Sequence, residues 1–184
     1  MSDPTDLRYL DLFANYLQTL GEDAAALGKV VESSTADSKD AGLTFVVSSL
    51  NYIFKSLDLI PDGIDDLGFM DDAFVLRISA SFAAAGEDAS TLDPTIARLA
   101  TEAADVRTFL EADADKLDAY VRSARRGSAR GRTVEAILDG DDAQARTDFV
   151  REVGAWALSY EPPSFTRDIK TLIKLKSFLN AKLS

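Results

Sequence analysis

The sequence predicts an all-α protein, a helical bundle of about seven helices around a central helical hairpin. Three observations carry that expectation. Apolar residues recur at three- and four-residue spacing along most of the chain, the period of one helix face. Ala, Leu, Asp and Glu are abundant while strand-favouring clusters are scarce, a helix-favouring balance. Helix breakers gather at a few points, above all Asp58 to Asp72, where six carboxylates, one proline and two glycines fall in fifteen positions between two apolar runs. With 184 residues, 46% hydrophobic and 28% charged, the chain is long enough for one cored domain, 1–184. Within it, 132–184 reads either as part of that domain or as a C-terminal appendage.

Taken in order, Pro4 precedes a stripe of Leu7, Leu10, Phe13, Ala14, Leu17 and Leu20, which Ala24, Leu27, Val30 and Val31 resume after Gly21. The glycine predicts one bent helix or two short ones. Residues 33–40 are a polar linker. Leu43, Val46, Val47, Leu50, Ile53, Phe54 and Leu57 belong to a segment apolar nearly all round, which predicts a buried central helix over 43–57. After the acidic corner, Phe74, Val75, Ile78 and Phe82 predict a partner helix over 72–85. Asp93-Pro94 reads as an N-cap with proline at the first helical position. From there Ile96, Leu99, Ala103, Val106, Leu110, Leu117 and Val121 predict one long helix to about Arg125, about 45 Å at 1.5 Å per residue. Asp113 and Ala114 weaken its stripe and allow a kink there.

A basic turn with glycines follows over 125–132. Val134, Ile137 and Leu138 predict a short helix ended by Gly140. Phe149, Val153, Trp156 and Tyr160 predict another, stopped by Pro162 and Pro163. Phe165, Ile169, Leu172, Ile173, Leu179 and Leu183 give a final amphipathic helix whose cationic side carries Lys170, Lys174, Lys176 and Lys182.

The corner itself has a local logic. Ile60 precedes proline and is pushed toward extended dihedrals, so the central helix must stop near Leu57 or Asp58. Gly63 and Gly68 allow positive φ where the chain reverses. Leu59, Ile60, Ile64, Leu67, Phe69 and Met70 are expected to pin the loop to the core. Asp71 and Asp72 fall where a carboxylate can cap the next helix.

Asp58-Leu59-Ile60-Pro61-Asp62, then Leu67-Gly68, then Asp71-Asp72, resemble the signature of the YkvA-like bacterial domain of unknown function, DUF1232. The likeness covers residues 42–78 and includes the apolar helix before the motif. The sequence departs from the pattern in Ser56-Leu57, where the family has Ser-Pro, in Gly63 and Asp65, and in the added Asp66. The resemblance implies a helical hairpin around an acidic turn. It implies no reaction.

Composition narrows the chemistry. The chain has neither cysteine nor histidine, which removes thiolate and imidazole ligands, disulfides and histidine-based nucleophilic catalysis. A formal charge of −11 opposes nucleic-acid binding. Met1–Asp6 is acidic where a secretory leader needs cations, and the longest uncharged run, 41–54, is too short to cross a bilayer, so a cytoplasmic protein is expected. The candidate metal ligands are Asp58, Asp62, Asp71 and Asp72, a hard-oxygen set suited to Mg²⁺ or Ca²⁺. An EF-hand beginning at Asp58 fails, because Ile60 and Phe69 fall where oxygen ligands are required. Against the metal stands a structural reading in which the acids cap helix ends and bind loop amides.

The 125–132 turn reads either as an anion site or as cations at a helix's negative end. The 165–183 helix reads as core, as a peripheral membrane contact, or as a basic face turned to the protein's own acids. The sequence leans against an enzyme. It points to a non-enzymatic interaction or scaffold module with a protein partner or self-association and no cofactor. The alternative is a divalent-metal-binding protein, as in a metal-dependent hydrolase, built on the four aspartates.

Overall fold

The computed structural model describes residues 3–55 and 58–184. Among these, seven helices have eleven or more residues and an eighth is a single turn. They surround one apolar cluster to which every long helix contributes.

Helix α1, Pro4–Ser33, starts with Asp3 accepting a hydrogen bond from the Thr5 amide and proline in its first turn. It runs unbroken for 30 residues, so of the two expected forms it is one helix and not two short ones. Gly21 is a point of close contact. A methyl group there would lie 3.0 Å from Tyr160 Cδ1 and 3.3 Å from the Ala157 carbonyl, so glycine lets helix α7, Ala143–Ser159, lie close along α1. At Gly28 the same methyl would meet Val153 Cγ1 at 3.3 Å.

Helix α2, Ala41–Tyr52, is capped by Asp40 and buried without interruption from Leu43. It ends earlier than the apolar run suggested. Phe54 and Lys55 donate to the carbonyls of Asn51 and Tyr52 in tight turns that swing the chain back toward Tyr52. Leu57, the last residue of the expected stripe, lies outside the described residues.

Helix α3, Met70–Ala84, is buried on every side from Met70 to Ala80 and is the centre of the bundle. It packs against α2 on one flank and α4, Pro94–Leu110, on the other. The central hairpin is therefore α2, the corner and α3. Asp93 caps α4 as expected, accepting from Thr95 and Ile96.

The single long helix to Arg125 is corrected to two. After α4 the chain makes a 3-10 turn, Glu111–Asp113, with Glu111 at φ 54°, before α5, Ala114–Ala124. The break lets Leu117 and Val121 of α5 return to the core against α2 and α3. A straight helix would have carried them past it.

A two-residue hairpin pairs β1, Ser128–Ala129, with β2, Arg132–Thr133, turning through Arg130 and Gly131 at φ 50° and 75°. One helical turn, α6 (Val134–Ile137), leads to α7. The last helix is α8, Ile169–Lys182. Phe149 and Val153 of α7 and Leu172, Leu175 and Leu179 of α8 enter the same core as the hairpin.

Candidate functional site

The acidic corner reverses the chain by two linked turns. Ile64 donates to the Pro61 carbonyl at 3.0 Å, and Leu67 and Gly68 donate to Ile64 at 3.2 and 2.9 Å. Positive φ falls on Asp66 (66°) and Phe69 (64°), not on Gly63 or Gly68 as expected. Gly68 is needed for another reason: a Cβ there would stand 2.1 Å from the Asp62 carbonyl oxygen. Leu59, Ile60, Leu67 and Met70 are buried and anchor the loop, with Ile64 and Phe69 packed at the edge.

The four candidate ligands are distributed unevenly. Asp71 and Asp72 are each 1% exposed, Asp58 is half-buried and Asp62 is on the surface. Neither Asp71 nor Asp72 caps α3, whose N-cap is Phe69 without a side-chain bond. Instead Asp71 Oδ2 accepts 2.6 Å from the Tyr52 hydroxyl and 3.1 Å from the Ile60 amide. The Tyr52 oxygen in turn accepts from the Leu59 amide at 2.9 Å. A loop amide pair is thus satisfied by α2 and α3 together, which is why the corner is held at both ends.

The other oxygens are less well provided. Among the described residues, Asp58 Oδ1, Asp71 Oδ1 and Asp72 Oδ1 are buried with no hydrogen-bond partner. Burial pushes the Asp58 carboxyl up to about 7, with the charges of Asp71 and Asp62 adding to it and Lys55 opposing. Burial likewise raises Asp71, against the hydrogen bonds from Tyr52 and Ile60. It raises Asp72 well above the carboxylate range, reinforced by Asp71, Asp62 and Asp58. The four acids therefore feel one another's charge. Yet among the described residues no three acidic side chains form a group able to hold a metal ion.

Asp65 and Asp66 look the other way. Asp66 Oδ1 accepts from the Thr166 amide at 2.8 Å, and Lys174 Nζ donates to the Asp65 carbonyl at 3.3 Å. Lys176 pairs with Glu111 at 3.3 Å. The last helix thus turns its apolar side to the core and two of its lysines to the protein's own acidic segments. In the basic turn, Arg132 makes a two-pronged pair with Glu152 at 3.1 and 2.6 Å, and Arg130 lies 3.6 Å from the same carboxylate. Trp156 is partly buried beside Phe69 and Tyr160, and the Tyr160 hydroxyl donates to the Leu17 carbonyl at 2.8 Å.

Two buried polar residues escaped the sequence reading. Tyr52 sits in an apolar helix off the counted stripe, and its signal was a hydroxyl six positions before Asp58. Arg77 is fully buried in α3. It pairs with Glu102 at 2.8 Å, lies 3.8 Å from Asp23, and stacks 3.4 Å from the centre of the Tyr16 ring. Arg98 closes the network by pairing with Asp23 and Glu102. The signal for Arg77 was a single charge inside Phe74–Ala80.

Compared with known proteins, the chain matches no family model, no curated protein and no solved structure.

Proposed function

We propose that this chain acts by binding, as a non-enzymatic interaction or scaffold module, and that its acidic corner is a sealed structural joint. The observation that carries this reading is the seal itself. Asp71 and Asp72 are 1% exposed, the Tyr52 hydroxyl and the Ile60 amide take up the bonding oxygen of Asp71, and the Leu59 amide takes up the Tyr52 oxygen. A general acid or base must reach its substrate within hydrogen-bond distance, and these groups face the core. Large apolar side chains stand out on three helices instead: Leu158 at 91%, Ile173 at 58% and Leu7 at 52% exposure. In this reading they are the anchors for a protein partner or a second copy.

The family resemblance of 42–78 belongs to the same proposal, since the segment it covers is the α2–corner–α3 hairpin. So does a cytoplasmic setting. No helix among the described residues is long and apolar enough to cross a membrane. Light scattering on the full chain, alone and as Leu158→Asp, tests self-association. Flotation with anionic vesicles tests the 165–183 helix as a membrane contact.

The second reading, a Mg²⁺ or Ca²⁺ protein, is favoured by the three unpartnered carboxylate oxygens, because buried charge is ordinarily paired or metal-bound. Calorimetric titration with Mg²⁺, Ca²⁺ and Mn²⁺ separates the two. A sealed joint gives no heat of binding. Micromolar binding that disappears in Asp62→Asn and Asp71→Asn, with the fold intact, would replace the first reading by the second.

A further inference from the structure

We propose that the cleft between the start of α2 and the end of α5 binds a small phosphomonoester through Lys39, Arg125 and Arg126. The cleft encloses about 420 Å³, within the range of small-ligand sites, and its walls also include Thr44 and Glu135. It lies about the opposite end of α2 from the acidic corner and has no part in the binding role proposed above.

The distribution of charge singles this place out. Acids outnumber bases by 31 to 20 in the chain, and nine of its twelve arginines are taken. Arg146 donates to the backbone carbonyls of Ser34 and Ala36, and the other arginines outside 122–126 pair with carboxylates. Among the described residues no carboxylate stands in ion-pair range of Arg122, Arg125 or Arg126, nor of Lys39. Three cations without carboxylate partners, Lys39, Arg125 and Arg126, line one cleft in a protein with acid to spare, and they ask for an anion from outside.

Two of these guanidinium groups are held in advance. Arg125 lies over the Phe45 ring at 4.1 Å and Arg122 over the Phe82 ring at 4.4 Å, and those two rings touch at 4.9 Å between centres. Stacking engages the face of a guanidinium and leaves its N–H groups, which lie in the plane, unspent. The one hydrogen bond Arg125 makes among the described residues is from Nε to the Arg122 carbonyl at 3.4 Å. Its Nη groups remain available for the bidentate contact that suits a phosphate. The first turn of α2 adds little, since Asp40 already accepts from the Leu43 amide there.

Glu135 sets the rest of the ligand. A carboxylate on the wall repels a second phosphate and accepts from a hydroxyl or amine. A phosphomonoester with a hydroxylated body meets both requirements, whereas a nucleoside diphosphate does not. A free metabolite and a lipid headgroup share this chemistry.

The test uses the full chain at low ionic strength, titrated with glycerol 3-phosphate and followed by ³¹P resonance shift and calorimetry. A parallel flotation assay uses phosphatidylcholine vesicles with and without phosphatidic acid. Saturable binding is expected, weakened about tenfold or more in Arg125→Gln/Arg126→Gln and unchanged in Arg151→Gln, an exposed arginine paired elsewhere. Lys39→Gln/Arg126→Gln alters two exposed side chains and serves if the first variant does not fold. Binding to phosphatidic acid vesicles alone, lost in the same variants, assigns the phosphate to a lipid and upholds the site. Failure of both ligands, or binding by the variants equal to wild type, overturns it.

Discussion

Tyr52 and Asp71, nineteen residues apart, share a 2.6 Å hydrogen bond that joins the last residue of α2 to the first turn of α3. Each partner also takes one amide of the intervening loop, Leu59 on the tyrosine and Ile60 on the aspartate. The corner is closed by this four-group arrangement more than by any cap. Tyr52→Phe would leave the Leu59 amide buried without a partner and Asp71 Oδ2 with the Ile60 amide as its one remaining donor. The expected loss is about 2 kcal/mol of unfolding free energy, the scale of a hydrogen bond to a charged group. Urea denaturation of the two proteins measures it, and a loss under about 0.5 kcal/mol would mean the corner is held some other way.

The corner acids make stability depend on pH in a defined direction. The Asp58 pKa rises from 3.8 to about 7 on folding, and Asp71 and Asp72 shift the same way through burial. The folded protein therefore keeps protons that the unfolded chain releases above about pH 4. This contribution is complete below that pH and is lost as pH rises through about 7. Thermal midpoints taken from pH 5 to 8 should fall, and fall less steeply in Asp72→Asn. Parallel slopes for the two proteins would contradict the shared electrostatics of the cluster.

Arg77 ties α3 to α1 and α4 from inside the core, facing Asp23 and Glu102 at zero exposure. Removing one member of a buried ion network leaves the others uncompensated. Arg77→Met should cost about 3–5 kcal/mol, and Arg77→Met/Glu102→Leu should recover part of it. Chemical denaturation of the single and double variants reads both effects. A double variant less stable than the single one would show that Glu102 supports the fold independently of Arg77.

Glycines in two helices should respond in opposite ways. Gly154 of α7 has open space where a Cβ would go, so Gly154→Ala should stabilise by about 0.5–1 kcal/mol through helix propensity. A Cβ at Gly21 would stand 3.0 Å from Tyr160 and 3.3 Å from the Ala157 carbonyl, so Gly21→Ala requires these neighbours to give way. Its thermal midpoint should drop despite the better propensity. A rise in both variants would remove close approach as the reason for glycine at position 21.

The order of helices, the cap at Asp93, the buried α2–α3 hairpin and the anchoring of the corner by Leu59, Ile60 and Leu67 could all be read from the chain. Each depends on local chemistry: a periodic apolar face, a side chain reaching its own helix start, a proline restricting its neighbour. The sequence alone also determined that no imidazole or thiolate takes part. What it could not supply were relations between distant segments. Gly21 reads as a break until α7 is seen against it. Asp113 reads as a kink until Leu117 and Val121 must turn back to the core. Asp71 reads as a cap until Tyr52 arrives from α2. The six arginines and lysines from 116 to 132 look alike in sequence, and only packing divides those paired with acids from the guanidinium groups laid over Phe45 and Phe82. Local rules act over a few residues of backbone, whereas these assignments depend on which surfaces the compact chain brings within a few ångströms of each other.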